Sequence, residues 1–398
     1  MLQLTKEMVR VAMLAAQGLL SPPTQPPTKE DILPIIRQMG YLQIDTIQAV
    51  RRSQYLVLWS RIGDFDPQWL DEVYDQGALF EYYAHALCYL PIEDYPIFRG
   101  LILYDDRTGN NWYRWAQQHP DVIQRILEAV RERGPVSSLD FDSQTISTGW
   151  GNVKHEKLAL NRLFAMGELM VTHRDNFRRY YDLQKRILPD WDDADALDLE
   201  SARAALLIKT IRALGVVRED WVAPYYYFLK TGITEALSEL KERNQLLPVH
   251  VEGWDRPAYI HPENVTMVKM VVNGDLIPVH TTFLSPFDPL ISDRGRTLDL
   301  FNFDYKMESF TPLKDRQYGY FCLPILHEGR LIGRLDPKAD RKRKQMEIKK
   351  IFLENGVKLN NALVDALKDT LTQFTAWHGM STIKIGPTDP PELREALI

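Results

Sequence analysis

Apolar residues recur at helical spacing from Thr5 to Gln17. Met8, Val11, Ala12 and Ala15 share a side, Thr5 can cap the start and Gly18 can end it. A proline-rich connector, SPPTQPPT at 21–28, follows. Thr28, with Asp31 three residues on, opens a helix whose face is Ile32, Ile35, Ile36 and Met39 and which stops at Gly40. Leu42–Asp45 reads as a short strand. Thr46 can cap a helix over 46–61, and Pro67–Gln76 reads as another. The aromatic stretch ALFEYYAHALCYLP at 78–91 is β-prone and ends at Pro91. Helix, strand, two helices and a β ribbon is the order of a winged helix.

The pattern returns twice. Pro120–Arg133 is helical, GPVSSLDF is an extended or turn link, and HEKLALNRLFAMG at 155–167 is an amphipathic helix. It runs into a predicted hairpin at 168–183 that turns at Arg174-Asp175-Asn176. Further on, Ala194–Leu214 and Tyr225–Glu242 look helical, and 246–262 reads as a two-armed β segment turning at Glu252-Gly253. The similarity between these stretches is one of pattern, not identity. After residue 270 the chain breaks into short β-prone runs punctuated by Pro, Gly and Asp, with a hairpin signal at His327-Glu328-Gly329. An amphipathic helix, Asn360–His378, follows. The expectation is an α+β protein: three tandem winged-helix units plus a C-terminal β-barrel-like domain. The expected boundaries are 1–92, 93–190, 191–268 and 269–398.

Composition narrows the function classes. A chain of 398 residues with 45 % hydrophobic and 26 % charged residues suits two or three globular domains. No apolar run is long enough for a membrane span, and MLQLTKEMVR carries charge where a secretion signal needs apolar residues, so a cytoplasmic location is expected. Cys88 and Cys322 are the only cysteines, and the nine histidines show no metal spacing. With no P-loop and no GxGxxG after a strand, neither metal nor cofactor is expected. The net charge of −6 argues against an all-over basic coat but leaves room for a local basic face.

Basic residues do cluster on the expected helix-and-wing elements. Lys154 and Lys157 flank a helix start, Arg174, Arg178 and Arg179 occupy a wing, and 338–350 holds seven basic and two acidic residues. One such cluster is usually only a solvated face. Several on winged-helix elements favour phosphate contact, and Arg51, Arg52 and Arg294 join the candidates. Tyr82, Tyr83, Tyr89, Tyr180 and Tyr181 read as core or wing packing, and His85 as a structural histidine. Gln43 and Asp45 stand two apart, so in an extended segment they share a face. Asp45 could merely cap a helix or pair with Arg51 or Arg52. Yet Thr46 suffices as a cap, and a carboxylate beside an amide can hold and activate one water. A carboxylate also stabilises a developing oxocarbenium ion.

The stretches LQIDTIQAVRRSQYLVLWSRIG, WLDEVYDQGALFEYYAHALCYLP, GWGNVKHEKLALNRLFAMGELMV, SPFDPLISDR, LFNFDYKMESFTP and GRLIGRLDPKADR closely resemble the YcaQ-type winged-helix DNA glycosylases, relatives of the AlkZ enzymes. The resemblance covers nearly the whole chain. It implies three winged helices on a β-barrel, no cofactor, and a catalytic Gln-apolar-Gln/Asp motif that here reads Gln43-Ile44-Asp45. It makes His85 and Glu81 candidates for an active-site wing, although Ala86 stands where an acidic residue is expected. The implied activity is a monofunctional DNA glycosylase acting on double-stranded DNA with alkylated or crosslinked guanines. No membrane and no obligate protein partner are expected. The alternative is a non-catalytic winged-helix regulator. A metal-dependent nuclease is disfavoured because no carboxylate cluster is evident.

Overall fold

The computed structural model describes residues 2–108, 111–141, 145–148, 151–227 and 232–398. The chain forms two compact units, Met1–Trp69 with Leu207–Ile398, and Leu70–Leu206. The fold is mixed α/β, and its C-terminal sheet is a curled half-barrel.

In the first unit, helix Lys6–Ala16 is capped by Thr5, whose hydroxyl accepts from Met8 N. Gly40 takes the left-handed conformation that ends helix Ile32–Met39. The expected helix over 46–61 starts late. Residues 44–52 have no regular structure, and the helix is Ser53–Ile62. Tertiary partners take the backbone groups that a helix would have used. Ala339 N donates to Ala49 O at 3.1 Å, and Arg341 Nη2 donates to Val50 O at 2.9 Å. Helix Ser53–Ile62 is buried nearly all round, as its apolar sequence requires.

Two sheets complete this unit. One is four-stranded, in the order Gln3–Leu4, Leu247–Val251, Ala258–Ile260, Val217–Arg218. The N-terminal strand thus joins the β segment read from 246–262. The other is six-stranded. Its long arms Arg330–Asp340 and Gln345–Leu353 pair antiparallel, and Thr382–Ile385 and Thr388–Asp389 add parallel to the second arm. Helix Asn361–Trp377, capped by Asn360, packs its buried face, including Leu363, Leu367, Leu371 and Phe374, against this sheet. Helices Val265–Asn273 and Arg294–Phe301 were not anticipated in the β-rich texture.

The second unit carries two hairpins, Leu79–Tyr83 with Leu87–Pro91 and Leu169–Asp175 with Arg178–Leu183. Tyr82 donates to Ala165 O at 2.6 Å and Tyr74 to Val171 O at 2.5 Å, tying the first hairpin to helix His155–Ala165 and helix Gln68–Asp75 to the second hairpin. The second turn lies one residue later than the sequence suggests, at Asn176 and Phe177, both with positive φ. Helices Tyr95–Thr108 and Asn111–Gln118 and the short pair Thr145–Thr148 with Gly151–Lys154 were not foreseen. Part of the expected 225–242 helix lies outside the described residues, and Ile233–Glu242 is helical. No helix among the described residues is long and apolar enough to cross a membrane.

One buried ion pair fastens helix Ser53–Ile62 to the SPFDPL loop. Arg61 Nη1 and Nη2 meet Asp288 Oδ2 and Oδ1 at 2.7 and 3.0 Å, and neither side chain reaches solvent. Arg61→Met should cost about 3 kcal/mol or more in urea unfolding, because Asp288 is then a buried, uncompensated charge. Adding Asp288→Asn should recover part of that loss. Additive losses in the double variant would show that the charges do not depend on one another.

Candidate active site and nucleic-acid interface

Strand Leu42–Gln43 follows helix Ile32–Met39 after Gly40 and Tyr41 and leads into the irregular run 44–52. Gln43 is 8 % exposed and Asp45 is half-buried. Asp45 does not cap a helix. Its Oδ1 accepts from Ile47 N at 2.7 Å, a turn closed two residues on. No cation forms an ion pair with Asp45 among the described residues. Burial raises its pKa, and the Ile47 N–H opposes that only in part. The result is a carboxylate that is a better base than an exposed aspartate.

The loop bearing Asp45 is held at its far end by helix Asn361–Trp377. His378 Nδ1 lies 2.7 Å from Phe374 O, so that nitrogen carries the proton, and Nε2 accepts from Arg51 N at 3.2 Å. Burial pushes the His378 pKa down to about 3, which keeps the ring neutral and accepting. Arg51 Nη2 donates to Trp377 O at 2.9 Å, and its guanidinium lies 4.8 Å from the Trp377 ring centroid. Trp377 Nε1 donates to Phe65 O, and Trp59 stacks on Phe283 and Trp377 below. Beside the loop is a pocket of about 350 Å³. Gln48, Ala49, Tyr320, Lys338, Arg341 and Lys349 line it. Lys338, Arg341 and Lys349 fall within the basic run at 338–350. Gln48, Tyr320 and the anchor His378 carry no sequence signal that would single them out.

The first unit holds Gln43, Asp45, Arg51, Arg52 and Arg294. Arg52 is half-buried at the N-terminus of helix Ser53–Ile62. Arg294 is bonded within its own loop. Its Nη1 and Nη2 donate to Ile291 O and Pro286 O at 2.6 and 2.9 Å, and it packs over Tyr305, so it shapes the loop.

The second unit holds Glu81, His85, Lys154, Lys157, Arg174, Arg178 and Arg179. Arg174 has a buried carboxylate partner. Its Nε and Nη2 grip both oxygens of fully buried Glu81 at 2.6 and 2.7 Å, and Nη1 donates to Phe177 O. The fork that was expected at phosphate and the carboxylate that was expected at an active site thus neutralise each other. Lys157 is exposed in the first turn of helix His155–Ala165, and Lys154 is its half-buried cap residue. Arg178 and Arg179 are half-exposed, and Arg179 Nη2 donates to Asn161 Oδ1 at 2.6 Å. His85 sits in the turn between the arms of the first hairpin, and burial lowers its pKa to about 4. It is neutral near pH 7.

The model of the DNA glycosylase AlkZ-like family matches residues 36–377. The chain belongs to the AlkZ-like DNA glycosylase family. Its fold is similar to that of the solved Streptomyces sahachiroi DNA glycosylase AlkZ, with a TM-score of 0.64 at 15 % identity over 96 % of this chain and 100 % of that one. At such identity the likeness concerns the fold. This AlkZ-like chain shows no group of three His, Cys, Asp or Glu side chains suited to a metal among the described residues.

Because the fold disfavours ionised Asp45, the cost is present above its raised folded-state pKa and is relieved as pH falls through it. Asp45→Asn keeps the Oδ1 acceptor for Ile47 N. Its melting temperature at pH 7 should therefore equal or slightly exceed that of the parent. The gain should disappear below about pH 3.9, where the unfolded aspartate is protonated too. A loss of stability at pH 7 would show that the carboxylate has a structural partner.

Proposed function

We propose that this DNA glycosylase hydrolyses the N-glycosidic bond of cationic N7-alkylguanines in double-stranded DNA, including nitrogen-mustard-type interstrand crosslinks, as a monofunctional enzyme. The observation that carries the reading is Asp45, a half-buried carboxylate with no ion-pair partner among the described residues, on a tethered loop beside a basic pocket. Alkylation at N7 places positive charge on the base, which then departs neutral and needs no acid. The remaining task is to stabilise the oxocarbenium-like sugar and to deliver water to its anomeric carbon. Asp45 does both, and Gln43 orients the water. Neutral His85 suits this division, since it has no proton to give near pH 7. A crosslinked base is tied to the opposite strand and cannot be swung into a closed pocket, so the substrate asks for an open site. The product is an apurinic site. Exposed Lys157 and half-exposed Lys154, Arg178 and Arg179 serve phosphates, as do Arg51 and Arg52 at the loop. The winged-helix units are the elements that present them.

The test is single-turnover excision on duplexes carrying N7-methylguanine, a mustard crosslink, uracil or hypoxanthine. Asp45→Asn should slow release of N7-methylguanine ~10²-fold or more while leaving duplex affinity unchanged, and Gln43→Ala should cost less. The parent rate should fall on acidification, with an apparent pKa above the ordinary ~3.9 of aspartate. Near-parental excision by Asp45→Asn would sink the assignment. Efficient uracil release would require a leaving-group acid and would sink the cationic-lesion reading.

The phosphate assignment has its own check. Arg178→Ala and Arg179→Ala should weaken all duplexes alike, and each should reduce the magnitude of the log–log salt slope by about one. Arg174→Ala should lower the unfolding midpoint instead, because it strands Glu81 in the interior. A flat response of the slope to both wing arginines would mean that this wing does not face DNA.

A further inference from the structure

The segment from Lys306 to Phe321 stands apart from the chemistry described so far. Phe310 is 87 % exposed and Leu313 79 % exposed, three residues apart at the crown of this loop. Single exposed apolar residues are ordinary. What sets these apart is the rigidity of the support. The buried Glu308 carboxylate accepts from Gln317 N, Tyr318 N and Gly319 N at 3.0, 2.8 and 3.0 Å. The buried Asp336 carboxylate then accepts from Tyr320 N and Phe321 N at 3.1 and 3.2 Å. Two carboxylates thus clamp five consecutive backbone amides. Gly319, at φ +155°, is pressed so close that a Cβ there would lie 2.3 Å from Asp336 Oδ2. On the crown itself, Thr311 N donates to Glu308 O, Asp315 N to Pro312 O, and Arg316 Nε to Thr311 O at 2.8 Å.

A loop fixed this firmly does not present a phenylalanine to water for its own stability. Its charge and position indicate the occupant. Lys306 and Lys314 are exposed and Arg316 is half-exposed around the crown, with Asp315 as the acidic member. The loop ends at Tyr320, which lines the pocket shared by Gln48 and Ala49 of the Asp45 loop and by Lys338, Arg341 and Lys349. Protein interface cores are depleted in lysine, whereas an apolar tip ringed by cations matches a duplex, with phosphates outside and a base stack within. We propose that Phe310, with Leu313 beside it, is a wedge that enters the base stack of bound duplex DNA and holds the helix distorted at the lesion. The proposal rests on the reading that the Asp45 loop faces DNA. The clamp supplies what a wedge needs, a backbone that does not yield when stacked bases resist.

The experiment uses the full chain with Phe310→Ala and Phe310→Trp. Two readouts are taken: single-turnover release of N7-methylguanine, and fluorescence of a 2-aminopurine next to the lesion, the latter in an Asp45→Asn background where the base stays attached. Phe310→Ala should slow release by about tenfold or more and abolish the fluorescence rise, a loss on the scale of one base–aromatic stack. Phe310→Trp should restore both, and the salt slope of binding to undamaged duplex should not move. A fluorescence rise equal to that of the parent overturns the wedge. So does a change in oligomeric state with Phe310→Ala, which would assign the tip to a second copy. If the parent releases no base from any duplex but Phe310→Ala still abolishes the rise, the wedge stands and the proposed chemistry falls.

Discussion

The Arg61–Asp288 pair is the constraint on which the geometry around Asp45 depends. Burying two charges is favourable only when every remaining donor and acceptor is met. Here Arg61 also donates through Nε to Gln17 O and through Nη1 to Val57 O and Ser60 Oγ, while Asp288 Oδ1 receives Leu290 N. The pair therefore links the first helix, helix Ser53–Ile62 and the 285–291 loop at one point. The Ser53–Ser285 hydroxyl bond at 2.7 Å adds a second point at the other end of the same helix. With both ends of the helix fixed, the residues preceding it must cross to the C-terminal sheet in an open conformation. Their carbonyls are met by Ala339 and Arg341, and the Arg51 N–H by His378. The irregular loop that carries Asp45 is thus a product of the packing beneath it.

Within this frame the carboxylates divide into two kinds. Glu81, Asp288, Glu308 and Asp336 are buried, and each is met by a guanidinium or by two or three backbone amides. Those contacts make burial tolerable and turn the charge into a fastener. Asp45 receives one amide and, among the described residues, no cation, so burial prevails and the charge is left less stable than it would be in water. The fold meets these four buried carboxylates with cations or amides and leaves Asp45 less well compensated, and a carboxylate perturbed in this way is a candidate reacting group.

Local patterns were legible where neighbours in sequence settle the outcome. Thr5, Thr28 and Gly40 bound their helices as capping chemistry dictates, and the aromatic run at 78–91 does make a hairpin. The spacing of Gln43 and Asp45 drew attention to a segment whose conformation the sequence only half specifies: the expected strand Leu42–Asp45 is limited to Leu42–Gln43, which leaves Asp45 outside it, and no helix starts at Thr46. Long-range partners were not legible. Nothing in RRSQ indicates that Ala339 and His378 would hold the preceding backbone, so the helix was expected to begin too early. The partners of two arginines were illegible for the same reason. Arg174 and Arg294 look like surface charge in sequence, but Glu81 lies 93 positions from the one, and the carbonyls that hold the other belong to its own folded loop. The five-amide clamp under Phe310 was likewise invisible, because backbone donors leave no trace in composition.

Histidine electrostatics bear on the chemistry as a whole. Burial lowers the pKa of His85 to about 4 and of His378 to about 3, and it also lowers those of His261, His280 and His327. An enzyme that protonates a neutral base needs an acid poised near the working pH. These five side chains are held on the wrong side of neutrality for that task, and two of them serve as acceptors in the scaffold: His378 takes the Arg51 N–H, and His261 caps a turn through Glu263 N. At the proposed centre burial raises the pKa of the Asp45 carboxylate, which becomes a stronger base as it is desolvated. Under the proposed mechanism, such a centre draws a proton from water and shields a cationic sugar, and the base departs without an added proton. On the proposed reading, the substrate already carries the charge an acid would otherwise provide, as an N7-alkylated guanine does.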